Sequence, residues 1–228
     1  MKVTYLCHSG FSVETESALL VFDYCKGKLP RRPDGKKLIF FVSHYHEDHY
    51  STRIFERADD PDTYYILDSG IRNYPENVNI SFVSERENYT FGDMTVKTLR
   101  STDCGVAYLV KIDDHTIYHA GDLHLWLWDG ATLFQKLAVR TAFEKELALI
   151  ADETIDIAFL PLDPRQDQNG VLGFDYAVRN LKIKHAVPMH FWGDPYYVKC
   201  FAESKLAEPY ADKLIFLLAE GESADEIC

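Results

Sequence analysis

The apolar run LIFFV at positions 38–42 passes without a turn residue into Ser43-His44-Tyr45-His46-Glu47-Asp48-His49. An unbroken apolar run of this length reads as a strand buried on both faces. When such a strand stops in an H-x-H-x-D-H pattern, the fold must gather polar, metal-competent groups at a strand edge. Two imidazoles two residues apart on an extended strand end point to the same side and can share one ion. Asp48 and His49, just beyond, can turn toward a second. Neutral imidazole nitrogens and carboxylate oxygens suit Zn²⁺, Fe or Mn²⁺. A solvated polar loop is the plainer reading of the same residues. The helical zinc-protease pattern H-E-x-x-H is not met, because Tyr50 stands where its second histidine would be.

Other apolar runs end in the same way. Thr116-Ile117-Tyr118 leads into His119-Ala120-Gly121-Asp122, and His185-Ala186-Val187-Pro188-Met189 leads into His190. Further strands are predicted over 3–6, 19–22, 64–67, 94–99, 108–112, 157–160 and 214–218, with turn chemistry at Pro33-Asp34-Gly35, Asp60-Pro61-Asp62 and Phe91-Gly92-Asp93. The segment 131–151 carries apolar residues at helical spacing over a length strands do not reach, and 174–181 and 196–207 read as shorter helices. Rigid strand ends hold side chains in fixed mutual geometry, so ends that converge on one edge would make a site.

The 228 residues fit one globular domain spanning 1–228, with no linker or repeat. A net charge of −12 disfavours broad attraction to nucleic-acid phosphate or an anionic membrane, so no nucleic-acid or membrane partner is expected. Self-association into a homo-oligomer is left open. Five scattered cysteines, Cys7, Cys25, Cys104, Cys200 and Cys228, do not make a disulfide framework. With no signal-peptide pattern and no stretch of membrane-span length, a cytoplasmic location is expected.

At this point the chain resembles the metallo-β-lactamase superfamily, whose defining motif is the one quoted above. Leu19-Leu20-Val21-Phe22-Asp23, Tyr118-His119-Ala120-Gly121-Asp122 and Val187-Pro188-Met189-His190 are similar to further strands of that family and follow its order. Cys7-His8-Ser9-Gly10-Phe11 and Ile157-Ala158-Phe159-Leu160-Pro161 are most similar to its compact metal-dependent hydrolases related to L-ascorbate-6-phosphate lactonase. The resemblance implies an α/β fold, a four-layer αββα sandwich, holding two divalent metal ions, zinc foremost and manganese or iron as alternatives. His44 and His46 would bind the first metal, Asp48, His49 and His190 the second, and Asp122 would bridge them.

One ligand of the family pattern is missing. A third histidine for the first metal is expected after the strand 94–99, where this chain reads Arg100-Ser101-Thr102-Asp103-Cys104-Gly105. Asp103 is the favoured substitute, a hard carboxylate ligand compatible with all three metals, and the Cys104 thiolate is the alternative.

The resemblance gives Asp48 and Asp23 roles around the metals, and place in the sequence suggests roles for His124, Trp126, Trp192 and Arg165, whose plainer readings are a segment leading to the long helix, core packing and a surface arginine. Asp48 would orient the attacking water and receive its proton, and Asp23 would steady a ligand histidine through its free ring nitrogen. His124, following directly on the bridging aspartate, would protonate a leaving group or hold a substrate oxygen. Trp126 and Trp192 would wall the substrate pocket, and Arg165 would bind a substrate carboxylate or phosphate. His8 and His119 are expected to be structural histidines satisfied by local hydrogen bonds. The implied activity is hydrolysis of a small-molecule ester, lactone or phosphodiester. The competing readings are a metal-binding protein of the same fold with a degraded, non-hydrolytic site, and a nuclease of that fold.

Overall fold

The apolar runs form strands of two sheets. The computed structural model describes residues 1–227, so Cys228 lies outside the described residues. The first sheet contains β1 (Lys2–Cys7), β2 (Gly10–Glu14), β3 (Ala18–Phe22), β4 (Lys37–Val42), β5 (Thr63–Asp68) and β6 (Ile80–Val83). The second contains β7 (Asn88–Phe91), β8 (Met94–Arg100), β9 (Val106–Ile112), β10 (His115–His119), β11 (Thr154–Pro161) and β12 (Lys182–Met189). A short last strand, β13 (Ser223–Ala224), returns to the edge of the first sheet, giving the orders β13-β1-β2-β3-β4-β5-β6 and β12-β11-β10-β9-β8-β7.

The unbroken hydrophobicity of the early strands has a direct cause. Ile39 and Phe41 of β4, with Leu20 and Phe22 of β3, enter the large core between the sheets. Leu38, Phe40 and Val42, with Leu19 and Val21, enter a second apolar cluster on the other face. Both faces are covered, so the sequence cannot alternate. What covers the outer face of the first sheet is a single 3-10 turn, Thr52–Arg57, through Ile54, together with Tyr50 and Ile71. The expected outer layer of helix is reduced there to that turn. On the second sheet the layer is helical: Phe143 and Leu147 of α1 (Leu133–Ala148) and Phe174, Ala177 and Val178 of α2 (Leu172–Asn180) join the main core.

α1 starts where local chemistry says it should. Thr132 Oγ1 accepts from Gln135 N, and Gln135 Oε1 accepts from Thr132 N, a reciprocal cap that satisfies two donors at the helix start. Its end is held by Glu146, which is buried and accepts from Arg86 and from the Arg100 backbone N. The third helix, α3 (Pro195–Ala202), stops five residues short of the expected end. The strand expected over 214–218 is not formed; only Leu214 makes an isolated parallel bridge, to Ala186. β2, β6, β7 and β13 were not anticipated. They are short and, β2 aside, partly exposed, so their residues carry little apolar periodicity.

Topology brings the polar strand ends together. β3, β4 and β5 run parallel, and β1 shares their direction because it is separated from β3 by the antiparallel β2. In the second sheet β10, β11 and β12 are parallel. The C-terminal ends of these strands carry His8, Asp23, His44, Asp122, Asp163 and His190 onto one edge of the sandwich. Bonds between the sheets fix that edge: Tyr108 Oη donates to Val42 O (2.8 Å), Val106 N to Ser43 O (3.0 Å) and His190 N to His8 O (3.2 Å).

Candidate metal centre

Several residues of this edge hold unusual backbone. His8 (φ 44°), Asp23 (φ 44°), His190 (φ 61°) and Trp192 (φ 52°) are all non-glycine residues in the left-handed region. Such conformations cost of order 1–3 kcal/mol each and persist where the surroundings dictate them, which is a mark of functional edges. Each one bends the chain away as its strand ends, so that the side chain faces the common space.

Two groups of ligand atoms result. His8, Asp48, His49 and His190 offer atoms that all lie within 4.8 Å of one another, and so do His44, His46 and Asp122. Asp122 spans both. Its Oδ1 is 3.1 Å from His49 Nε2 and 3.3 Å from His190 Nε2, while its Oδ2 is 3.7 Å from His44 Nε2. His44 Nε2 and His46 Nδ1 are 2.9 Å apart. Asp48 Oδ2 lies 3.3 Å from His8 Nε2, 3.9 Å from His49 Nε2 and 4.0 Å from His190 Nε2.

The donor set fits divalent cations. His8 Nε2, His49 Nε2, His190 Nε2 and Asp122 Oδ1 are buried without a hydrogen-bond partner although they face one another. A single buried polar atom left unpaired costs about 1–3 kcal/mol, so four converging on one space are what a bound cation would satisfy. The titration of the site agrees. Burial alone would lower His49, yet the Asp122 and Asp23 carboxylates hold it well above the ordinary range. Burial would raise Asp122, yet His49, His190 and His44 hold it well below. The cluster calls for positive charge, which a proton on His49 supplies and which a metal ion would supply instead, releasing that proton.

His44 and His8 are already in the neutral form a metal needs. Burial, followed by repulsion from His49, lowers His44 to about 4. Burial likewise lowers His8 to about 4 against the pull of Asp48.

Buried carboxylates behind the two groups orient their histidines. Asp23 is fully buried; its Oδ1 accepts from Ser43 N (2.7 Å), and its Oδ2 accepts from Ser43 Oγ (2.7 Å) and lies 2.7 Å from His49 Nδ1. This is the orienting position expected of it. Asp163, at the end of β11, does the same for His190, with Oδ2 3.1 Å from Nδ1.

Several expectations are corrected or refined. His8, expected to be a satisfied structural histidine, instead joins the second group with its Nε2 lacking a hydrogen bond; it directly follows β1, and nothing in its local sequence shows that β1 ends on this edge. Asp163, two residues before Arg165, is a further site residue that no local motif marks; it stands just beyond β11 with its carboxylate on His190. His119 is structural, with Nε2 2.8 Å from Ser9 O and its ring stacked on Phe22. Asp103 belongs to neither group. It sits in the β8–β9 loop, where burial and the Asp122 charge raise its carboxyl while His46 and His190 pull it down, so it lies within the field of the centre.

His124 is buried, its Nε2 lacks a hydrogen bond, and burial lowers it to about 3. Burial favours its neutral form, and of the two roles expected of it, holding a substrate oxygen suits a neutral ring better than protonating a leaving group. Trp126 is buried with Nε1 donating to Asp122 O (3.0 Å), so it braces the bridging residue more than it walls a pocket. Arg165 is not a free cation: its Nε and Nη2 are engaged by Asp163, and its guanidinium lies 4.3 Å from the Trp192 ring centre.

Trp192 is the open wall. It is 46% exposed and lines, with His8, Asp48, Cys25, Lys26 and Glu220, a pocket of about 430 Å³. A larger cleft of about 790 Å³, beside Tyr197 and Phe201, is lined by none of the proposed ligands. Chemistry outweighs volume here, and the smaller pocket is the one that opens on the centre.

A profile of the beta-lactamase superfamily domain matches residues 2–134. The chain belongs to that superfamily. Among curated relatives, a UPF0173 metal-dependent hydrolase from Desulforamulus reducens is 27% identical, with 84% of each chain covered. Another of that designation from Pyrococcus furiosus is 26% identical, again with 84% of each covered. Among solved structures, a metallo hydrolase from the archaeon Ignicoccus hospitalis superposes with a TM-score of 0.66 at 15% identity, covering 98% of this chain and 97% of the other. The two-sheet sandwich is therefore the metallo-β-lactamase fold.

Proposed function

We propose that this protein is a metal-dependent hydrolase that directs a metal-activated water at a small-molecule ester, lactone or phosphodiester. The observation that carries this reading is the convergence of unpartnered His49 and His190 nitrogens on Asp122, a carboxylate shared with the His44–His46 group, with His8 beside Asp48 in the same cluster as His49 and His190. The names of the relatives support the same class. His44, His46 and Asp122 would hold one ion and His8, Asp48, His49 and His190 the other, with Asp103 closing the first site from the β8–β9 loop. Zinc suits the histidine-rich second group, and manganese or iron suits a carboxylate-completed first one. Divalent ions bound there would lower the pKa of water and polarise the bond under attack.

The chain's own residues supply the rest. Asp48, held ionised by His8 and His49 against burial, presents a carboxylate at the pocket that can accept a proton. His124 offers a neutral N–H. Trp192 gives an apolar wall, and Arg165, stacked on it, fixes both its plane and, through Asp163, the His190 ring.

The test combines metal analysis with a panel of chromogenic esters, lactones and phosphodiesters. About two ions per chain and turnover of one substrate class are expected, and Asp122→Asn should lower kcat/KM by at least about a thousandfold, in line with losing a group that holds both ions. No bound ion after reconstitution with Zn²⁺ or Mn²⁺ would sink the proposal.

A further inference from the structure

Cys7 closes β1, and Cys25 lies just beyond β3; β2 pairs with both strands and places their ends side by side. Their sulfurs are 2.6 Å apart, with Cys7 buried and Cys25 partly exposed. A disulfide needs about 2.05 Å between sulfurs, so bonding asks for a closure of about half an ångström, within the reach of small side-chain rotations. Cys7 has little other room: a Cβ added at Gly10 would stand 3.2 Å from its sulfur. Cys25 lines the same pocket of about 430 Å³ as His8, Asp48 and Trp192, so a small solute entering the pocket reaches it. Among the described residues, neither Cys104 nor Cys200 has another thiol as a hydrogen-bond partner. The pair is thus set apart from the remaining cysteines by geometry and by access.

We propose that Cys7 and Cys25 form an oxidisable dithiol that hydrogen peroxide closes to a reversible disulfide on the wall of the metal-site pocket. The Cys25 sulfur attacks a peroxide oxygen, the O–O bond breaks, and Cys25 becomes a sulfenic acid as water leaves. The Cys7 sulfur then attacks the sulfenic sulfur, the S–O bond breaks, and hydroxide departs with the Cys7 proton as a second water. Two thiols lose two electrons and two protons, and one hydrogen peroxide is reduced to two waters. The new bond ties the residue preceding His8 to the segment that follows Asp23, so the redox state is recorded in the two backbone segments that shape the second ligand group. A thiol reductant restores the pair.

The proposal is independent of which bond the enzyme hydrolyses, and its test reads covalent mass. The full chain is treated with hydrogen peroxide, free thiols are alkylated, and peptides are mapped without reduction. A peptide pair linked through Cys7 and Cys25, lighter by two hydrogens and released by dithiothreitol, is expected, and Cys25→Ser and Cys7→Ser should each remove it. Should either variant fail to fold, alkylation of the wild type suffices: peroxide must protect both thiols together. Alkylation of both thiols after peroxide, or Cys25 driven to sulfinic acid with Cys7 still free, would overturn it.

Discussion

Asp23 keeps a charge at zero exposure because Ser43 N, Ser43 Oγ and His49 Nδ1 surround its two oxygens. Its carboxyl is lowered: burial opposes ionisation, but the fields of His119 and His49 outweigh it. Asp23→Asn keeps the volume and loses the acceptor strength that holds His49 in its ligand orientation. Removal of such an orienting partner typically costs 10–100-fold in metal affinity, and a loss of roughly that size is expected by competitive chelator titration, with the fold retained. Unchanged affinity would mean that the His49 ring is oriented by packing alone. Asp103→Ala carries a different expectation. Because Asp103 stands outside both groups yet feels Asp122 and His46, and is proposed to close the first site from its loop, its loss should weaken the ion of the His44–His46 group by at least about tenfold and leave the other unchanged. At this scale the sequence revealed those residues whose neighbours announce them. His44, His46, Asp48 and His49 stand in one short motif, whereas His8 and Asp163 each stand alone, with nothing local to separate a ligand or its support from a turn residue.

The elements that aim the motif depend on two close approaches to Ser43. Gly105, in the β8–β9 loop, has φ 69°, and a Cβ there would lie 2.0 Å from Ser43 O. That loop also donates Val106 N to the same carbonyl, so it pins the end of β4 just before His44. Gly105→Ala would incur left-handed strain of about 1–3 kcal/mol together with a backbone overlap that only movement of the loop or of β4 can relieve. A drop in unfolding free energy of at least about 2 kcal/mol, with weaker metal retention, is the expected result in urea titration. Strands flanked by apolar cores on both sides were legible as runs. The edge strands β6, β7 and β13 were not, because their positions in a sheet are set by the neighbour they pair with and only weakly by their own side chains.

At the scale of the whole molecule, the site governs how stability follows pH. His8 and His44 are lowered to about 4 and His124 to about 3, chiefly by burial, whereas in an unfolded chain each titrates near about 6.5. Between those values the unfolded chain binds protons that the native one refuses, so the contribution of these three rings is full above about pH 6.5 and is lost as pH falls toward 4. His49 is shifted the other way and acts only above that window. Asp23, Asp48 and Asp122, all held low, act only below it. The urea midpoint of the metal-free protein should therefore fall steadily from pH 7 to pH 4.5; a flat profile would contradict the buried, neutral state of these rings. Among the described residues no helix is long and apolar enough to cross a membrane.

From the sequence alone came the kinds of groups present and the local direction of the chain. The apolar runs, the motif after β4, the aspartate after β10 and the histidine after β12 are written in contiguous residues, because strand periodicity and ligand spacing are local properties. Tertiary structure decided which ends share an edge. β2 turns β1 into the direction of β3 and so delivers His8 beside Asp48, and β11 carries Asp163 to the back of His190. It also set the charge state of His124, which burial lowers, and the setting of Asp163, whose carboxylate meets His190 from 27 residues away; the first effect comes from exclusion of water and the second from a contact distant in the chain. Ligand identity is a property of side chains, but ligand geometry is a property of sheet order.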